Sequence, residues 1–121
     1  MKKEARKISL NEKIKEVAEK FLKAIEKKEV LVVSHFDTDG ISSAAIMMQA
    51  LKRMDRRFSV KILKRLEPEF LAGLEKNKPI IFLDLASGML NQIDSLGLDD
   101  VFIIDHHEII QEIPKSVSIV N

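Results

Sequence analysis

Apolar positions along the chain follow two rhythms, and their alternation outlines the fold. Over roughly residues 9–28, Ile14, Val17, Ala18, Phe21, Leu22 and Ile25 recur at helical spacing with Lys and Glu between them, which predicts an amphipathic helix. Ser9 or Asn11 can cap it, and Ser9-Leu10-Asn11-Glu12 has the spacing of a capping box. The polar, basic residues 1–8 before it are expected to fray. Val30–Ser34 is a continuous run of the kind found in strands covered on both faces. A loop over 35–40 then leads into a helix over about 41–55, with Ile41, Ala44, Ala45, Met48 and Leu51 as its buried stripe. Gly40 permits the turn and a close backbone approach, and the small residues 42–45 let that helix lie near a sheet.

The alternation continues to the end of the chain. Phe58–Leu63 reads as a strand, and Pro68 suits the first turn of a short helix to about Glu75. Ile80–Asp84 is a strand, Ala86-Ser87-Gly88 a loop, and Met89–Leu96 a short helix. Val101–Asp105 and, after the turn marked by Pro114, Val117–Val120 complete five strands. Strands alternating with helices argue for an α/β fold: an open, mainly parallel five-stranded sheet with helices on both faces. The expected strand order is 2-1-3-4-5, with a switch point between strands one and three. The chain shows no internal repeat, low-complexity tract or interdomain linker.

The 121 residues suffice for one domain with a modest core, and a composition 45% hydrophobic and 32% charged suits a soluble one. No apolar run approaches the roughly 18 residues that span a bilayer, and the amino terminus lacks a signal-peptide stretch, so no membrane partner and a cytoplasmic location are expected. Cysteine is absent, which leaves His and carboxylate as metal ligands. The net charge of +1 conceals a segregation. Lys52–Arg65 holds seven Lys or Arg against one Asp, whereas Pro79–Pro114 holds seven Asp or Glu and no Lys or Arg. The acidic half suits a cation, and the basic stretch could steer an anionic substrate. Lys52, Arg53, Arg56 and Arg57 are equally readable as the solvated end of a helix.

Three apolar runs deliver chemistry at their carboxyl ends. Val33-Ser34 leads into His35-Phe36-Asp37-Thr38-Asp39-Gly40, Ile80–Leu83 into Asp84, and Val101–Ile104 into Asp105-His106-His107. In an open parallel sheet those ends gather at one edge, where ligands bind. Crowded carboxylates are costly unless a cation neutralises them, so the pattern reads as a metal site, most simply for two ions. In an extended loop Asp37 and Asp39 would point to one side, with His35. Asp84, from another strand, could bridge two ions. The donor set suits Mn²⁺ and tolerates Mg²⁺, Fe²⁺ or Zn²⁺. Phosphoester hydrolysis is the natural reaction of such a pair. Each residue also has a plain structural reading: Asp37, Asp39 or Asp84 as a helix cap, His106 as a satisfied buried histidine, His107 and Glu108 as solvated, and Asp99 and Asp100 as turn residues.

His35-Phe36-Asp37-Thr38-Asp39-Gly40, Asp84 and Asp105-His106-His107 together resemble the first three motifs of the DHH phosphoesterase family. The chain looks most like the archaeal RecJ-like single-strand exonucleases, through Ser-His-x-Asp-x-Asp-Gly-Ile, the Asp-Leu-x-Ser-Gly run at 84–88 and the Ile-Asp-His-His turn. The resemblance covers roughly residues 28–121. It implies a two-Mn²⁺ hydrolase, with Mg²⁺ possible, in which Asp37 and His35 bind one ion, Asp39 and His106 the other, and Asp84 bridges. Asp105 would orient the histidines, and His107 would contact the substrate phosphate. The implied function is a 5′→3′ exonuclease on single-stranded DNA or RNA, serving DNA repair or replication.

Relatives carry a fourth motif with another metal-binding Asp, then a DHHA1 domain. Neither has a counterpart here, so residues 1–28 are expected to form a helix packed on a DHH domain, 29–121, that is truncated before that motif. A second polypeptide supplying the rest, or the GINS replication complex, would then be a partner. The alternatives are a phosphodiesterase for cyclic dinucleotides or oligoribonucleotides, and a non-catalytic module that binds a replication partner.

Overall fold

The computed structural model describes residues 9–121; residues 1–8, where fraying was expected, lie outside the described residues. Ser9 caps the first helix, α1 (Leu10–Ala24), by accepting a hydrogen bond from the Glu12 N–H at 3.2 Å. Strand β1 (Val30–His35) follows, then α2 (Thr38–Arg53), β2 (Phe58–Leu63), α3 (Pro68–Ala72) and β3 (Ile80–Leu83). A 3₁₀ turn at Ser87–Met89 leads into α4 (Leu90–Asp94), and β4 (Val101–Ile104) and β5 (Val117–Val120) end the order.

The five strands are all parallel and lie in the order β2-β1-β3-β4-β5, as the alternation of runs implied. Both faces are covered, which is why the central strands read as unbroken apolar runs. Val30, Val32, Ile81, Leu83 and Phe102 meet α1 and α2 on one face through Val17, Phe21, Ile25 and Leu51. Phe21 meets Phe102 edge to face at 5.2 Å between ring centres. Val33, Phe82, Val101, Ile103, Val117 and Ile119 meet Leu71, Leu90 and Ile93 of α3 and α4 on the other.

The helices depart from expectation in register and length. The buried positions of α2 are Gly40, Ala44 and Leu51, with Met47 half-buried; Ile41 and Ala45, expected inside, are exposed. Ile14 and Leu22 of α1 are likewise exposed. Apolar residues flank each helix on more than one side, so spacing alone did not choose the face. α3 stops at Ala72 rather than Glu75, because Gly73 caps it and Lys76-Asn77 turn towards Pro79. The predicted helix 89–96 is shorter and opens with the 3₁₀ turn.

Register positions the site. Ser34 pairs with Leu83, and Leu83 with Ile104. The ladder runs one bond further on each side, Asp84 N–H to the Ile104 carbonyl at 2.8 Å and Asp105 N–H to the Val120 carbonyl at 3.1 Å. His35, Asp84 and Asp105 are therefore the next residues in one row across three adjacent strands.

Candidate metal centre

The loop after β1 is closed by its own polar groups. Ser34, fully buried, donates from Oγ to the Gly40 carbonyl at 2.6 Å and also lies 3.2 Å from the Leu83 carbonyl. Asp37 is the N-cap of α2, its Oδ1 accepting from the Gly40 N–H at 2.8 Å. Gly40 is required by space: a Cβ there would stand 2.0 Å from the His35 carbonyl oxygen. Helix α2 thus begins at Thr38, and Asp39 lies in its first turn rather than in an extended loop. This corrects the expectation that Asp37 and Asp39 share a side by two-residue alternation.

The two carboxylates instead serve opposite flanks of Asp84. On one flank His35 Nδ1 stands 2.9 Å from Asp37 Oδ2 and 3.9 Å from Asp84 Oδ2. The other ring nitrogen of His35, Nε2, lies 2.9 Å from the Lys64 carbonyl, which can only accept, so Nδ1 is the nitrogen turned to the carboxylates. On the other flank His106 Nε2 stands 2.7 Å from Asp84 Oδ1 and 3.9 Å from Asp39 Oδ2. Asp39, with a side chain 72% exposed, is the loosest member, and the ligand atoms of His35, Asp37 and Asp84 form one tight group without it.

Asp84 is the hinge of the arrangement. Its side chain is 4% exposed, and its backbone is left-handed at φ 60°, a conformation Asp tolerates better than most residues. Oδ2 is buried without a hydrogen-bond partner among the described residues. Burial pushes the Asp84 carboxyl above its ordinary value of 3.8, and the neighbouring Asp37 adds to the push. Asp37 itself is held below 3.8, chiefly by the Gly40 N–H, with His35 helping. A buried carboxylate oxygen without a partner, 3.9 Å from an imidazole nitrogen, is what a cation would satisfy, and the His and carboxylate donors fit a hard or borderline divalent ion.

Asp105 organises the third motif. Oδ1 accepts from the His106 N–H at 2.8 Å and from His107 Nδ1 at 2.5 Å, while Oδ2 accepts from the Ser87 N–H at 3.2 Å. Burial alone would raise this carboxyl, but the hydrogen bonds from Ser87, His107 and His106 outweigh it and hold Asp105 below 3.8. The same contact raises His107 above 6.5. His106 and His107 stack with ring centres 4.5 Å apart and are 67% and 58% exposed, so neither is a buried core histidine. Asp84 lacks the helix-capping role that its position allowed; the 3₁₀ turn beyond it has no side-chain cap.

Two open clefts meet at Asp84 and Asp105. One, about 420 Å³, is lined by Leu10, Ile14, Asp39, Ile46, Ile104 and His106. The other, about 390 Å³, is lined by His35, Lys64, Arg65, Ser87, Gly88 and His107. The basic stretch is consequently divided. Lys64 and Arg65 reach the site, whereas Lys52 and Arg53 end α2, and Arg56 donates to the Glu26 carbonyl at 3.2 Å beyond it. Ser34, the Lys64 carbonyl and the Ser87 N–H went unassigned in the sequence. Only Ser34 left a signal, as a lone hydroxyl inside an apolar run.

Residues 29–121 match the DHH family, N-terminal domain. The chain belongs to the DHH family. An uncharacterised protein of Methanocaldococcus jannaschii is 36% identical over 107 residues, covering 79% of this chain and 24% of that protein. The fold of this DHH chain is similar to that of RecJ from Thermus thermophilus in complex with Mn²⁺, with a TM-score of 0.69 at 19% identity, over 88% of this chain and 17% of that one. It is also similar to an exonuclease RecJ bound to manganese, with a TM-score of 0.61 at 21% identity, over 95% of this chain and 32% of that one. The DHH chain thus spans about a quarter of its curated relative and a third or less of these structures.

Proposed function

We propose that this chain carries the metal-binding motifs of a manganese-dependent phosphodiesterase, a RecJ-like 5′→3′ exonuclease on single-stranded nucleic acid in the cytoplasm. The observation that supports it most is Asp84, a buried carboxylate with one oxygen towards His35 and Asp37 and the other towards His106 and Asp39. In this reading His35 and Asp37 hold one Mn²⁺, Asp39 and His106 hold the second, and Asp84 is shared. Bound Mn²⁺ would lower the pKa of water and neutralise charge at phosphorus. The two RecJ structures of similar fold are manganese complexes, which agrees with the donor set.

The remaining side chains do the positioning. The Lys64 carbonyl fixes the His35 ring so that Nδ1 faces Asp37 and Asp84. Asp105 takes the Nδ1 proton of His107 in a hydrogen bond, so that its other nitrogen is free to donate to a phosphate oxygen. The Asp105 contact that raises the His107 pKa above 6.5 favours the charged form of the ring, which donates from both nitrogens.

The test is hydrolysis of end-labelled single-stranded oligonucleotide with Mn²⁺, beside a cyclic dinucleotide, on the chain alone and on the chain extended to the length of its relative. Shortening from the 5′ end, abolished by a chelator, is the expected result. Cleavage of the cyclic dinucleotide alone would replace the exonuclease reading with the small-nucleotide one, and no hydrolysis in either form would remove the enzyme reading.

A further inference from the structure

Phe36 stands between two proposed ligands, His35 and Asp37, and it is the odd phenylalanine of the chain. Phe21, Phe82 and Phe102 are buried, Phe58 and Phe70 are half-buried, and Phe36 is 50% exposed. The sequence has no Trp or Tyr, so Phe36 is the one exposed phenyl ring among the described residues. Its position is fixed on both sides. Its N–H donates to the Leu63 carbonyl at 2.9 Å, and its ring meets His35 edge to face, 5.1 Å between centres at 80°. One imidazole therefore separates a flat apolar ring from the Asp37–Asp84 carboxylates.

We infer that Phe36 is a base-stacking platform for the nucleotide whose phosphate sits at the candidate centre, a role that rests on the phosphodiesterase reading above. The exposed ring lies against His35, one imidazole away from the carboxylates, and offers a π face that a nucleobase can cover. Stacking accepts any of the bases, because each has a π face, but it requires that the base be unpaired. The ring thus selects a single-stranded, base-bearing end over a duplex. It also selects against inorganic pyrophosphate or polyphosphate, which offers phosphorus but nothing to stack. Leucine at this position would keep the apolar bulk and lose the face, whereas tyrosine would keep both.

Anisotropy of a labelled single-stranded oligonucleotide with phosphorothioate linkages, in Mn²⁺, reads binding apart from turnover. The probes are that oligonucleotide, the same strand with abasic terminal residues, and pyrophosphate as competitor. Phe36→Leu should weaken the normal strand about tenfold, the scale of one lost base–aromatic stack. It should leave the abasic strand and pyrophosphate as in the parent, and Phe36→Tyr should bind like the parent. The stacking role is overturned if Phe36→Leu binds the normal strand as the parent does, or weakens normal and abasic strands equally. A parent that binds the strand base-dependently yet never hydrolyses the unmodified strand in Mn²⁺ overturns the proposed activity and upholds the platform. A parent that binds neither strand overturns both.

Discussion

At the scale of single residues, Asp84 holds opposing requirements. Its burial and the adjacent Asp37 both work against a charged carboxylate in the metal-free chain, and its left-handed backbone is one that few residue types adopt. Asparagine tolerates the same backbone and carries no charge. Asp84→Asn is therefore expected to melt at or above the parent temperature while losing Mn²⁺ binding and any Mn²⁺-supported hydrolysis. Calorimetric melting and titration with Mn²⁺ check the two halves, and unchanged Mn²⁺ affinity would remove Asp84 from the centre. Asp99→Asn, at an exposed turn before β4, should change neither.

The Asp105–His107 pair gives a pH signature at the same scale. His107 is raised above 6.5 in the folded chain, so its contribution to stability is complete below that value and is lost as pH rises through the folded pKa. Asp105 is lowered below 3.8, so its contribution is present above that value and is lost as pH falls through the folded pKa. The ion pair thus spans the interval between the two folded values. In the metal-free chain, an NMR titration should place the His107 imidazole above 6.5, and Asp105→Asn should bring it down. A His107 value unmoved by that substitution would show that the carboxylate does not set it.

At the scale of elements, the loop of proposed metal ligands is built as a clasp between β1 and α2. Gly40→Ala would drive a Cβ to 2.0 Å from the His35 carbonyl oxygen, against backbone that cannot swing aside. A cost of about 1–3 kcal/mol is expected from such overpacking, read by denaturant unfolding, together with weaker Mn²⁺ binding because His35 and Asp37 must move. A stability loss with unchanged Mn²⁺ affinity would show that the clasp shapes the fold but not the ligands.

Much at this scale was legible in the sequence. Phe58–Leu63 and Val117–Val120 have the boundaries their patterns gave, because these edge strands alternate apolar and polar residues at period two. The strand order followed from alternation. The start of α2 was not legible, because Asp37 as cap places Thr38 and Asp39 inside the helix, and a capping Asp looks the same in sequence as a loop Asp. The helix faces were equally hidden. Ile14, Leu22, Ile41 and Ile46 are all exposed, so hydrophobic spacing had more candidates than burial used.

At the scale of the molecule, convergence depends on a parallel sheet that ends three central strands in one row. The topology explains how a short chain gathers His35, Asp84 and Asp105, whose sequence separations are large. The switch point lies between β1 and β3, where His35 and Asp37 face Asp84. The division into two flanks was implied by the family resemblance and not by residue spacing, and neither could show which oxygen of Asp84 faces which histidine. Ligand binding to the folded state alone should stabilise the whole domain. With free Mn²⁺ at a hundred times its dissociation constant the gain is about 2.7 kcal/mol, which for a chain of this size raises the melting temperature by roughly 10 °C and is reversed by chelation. No shift at saturating Mn²⁺ would mean that the carboxylates hold no cation.

The central claim is that Asp84 is shared by two cations. Anomalous diffraction from crystals grown in Mn²⁺ tests it most directly. The account predicts two manganese peaks about 3.5–4 Å apart, one beside His35 and Asp37, the other beside Asp39 and His106, with an oxygen of Asp84 on each. Peaks elsewhere, or none within reach of Asp84, would contradict it.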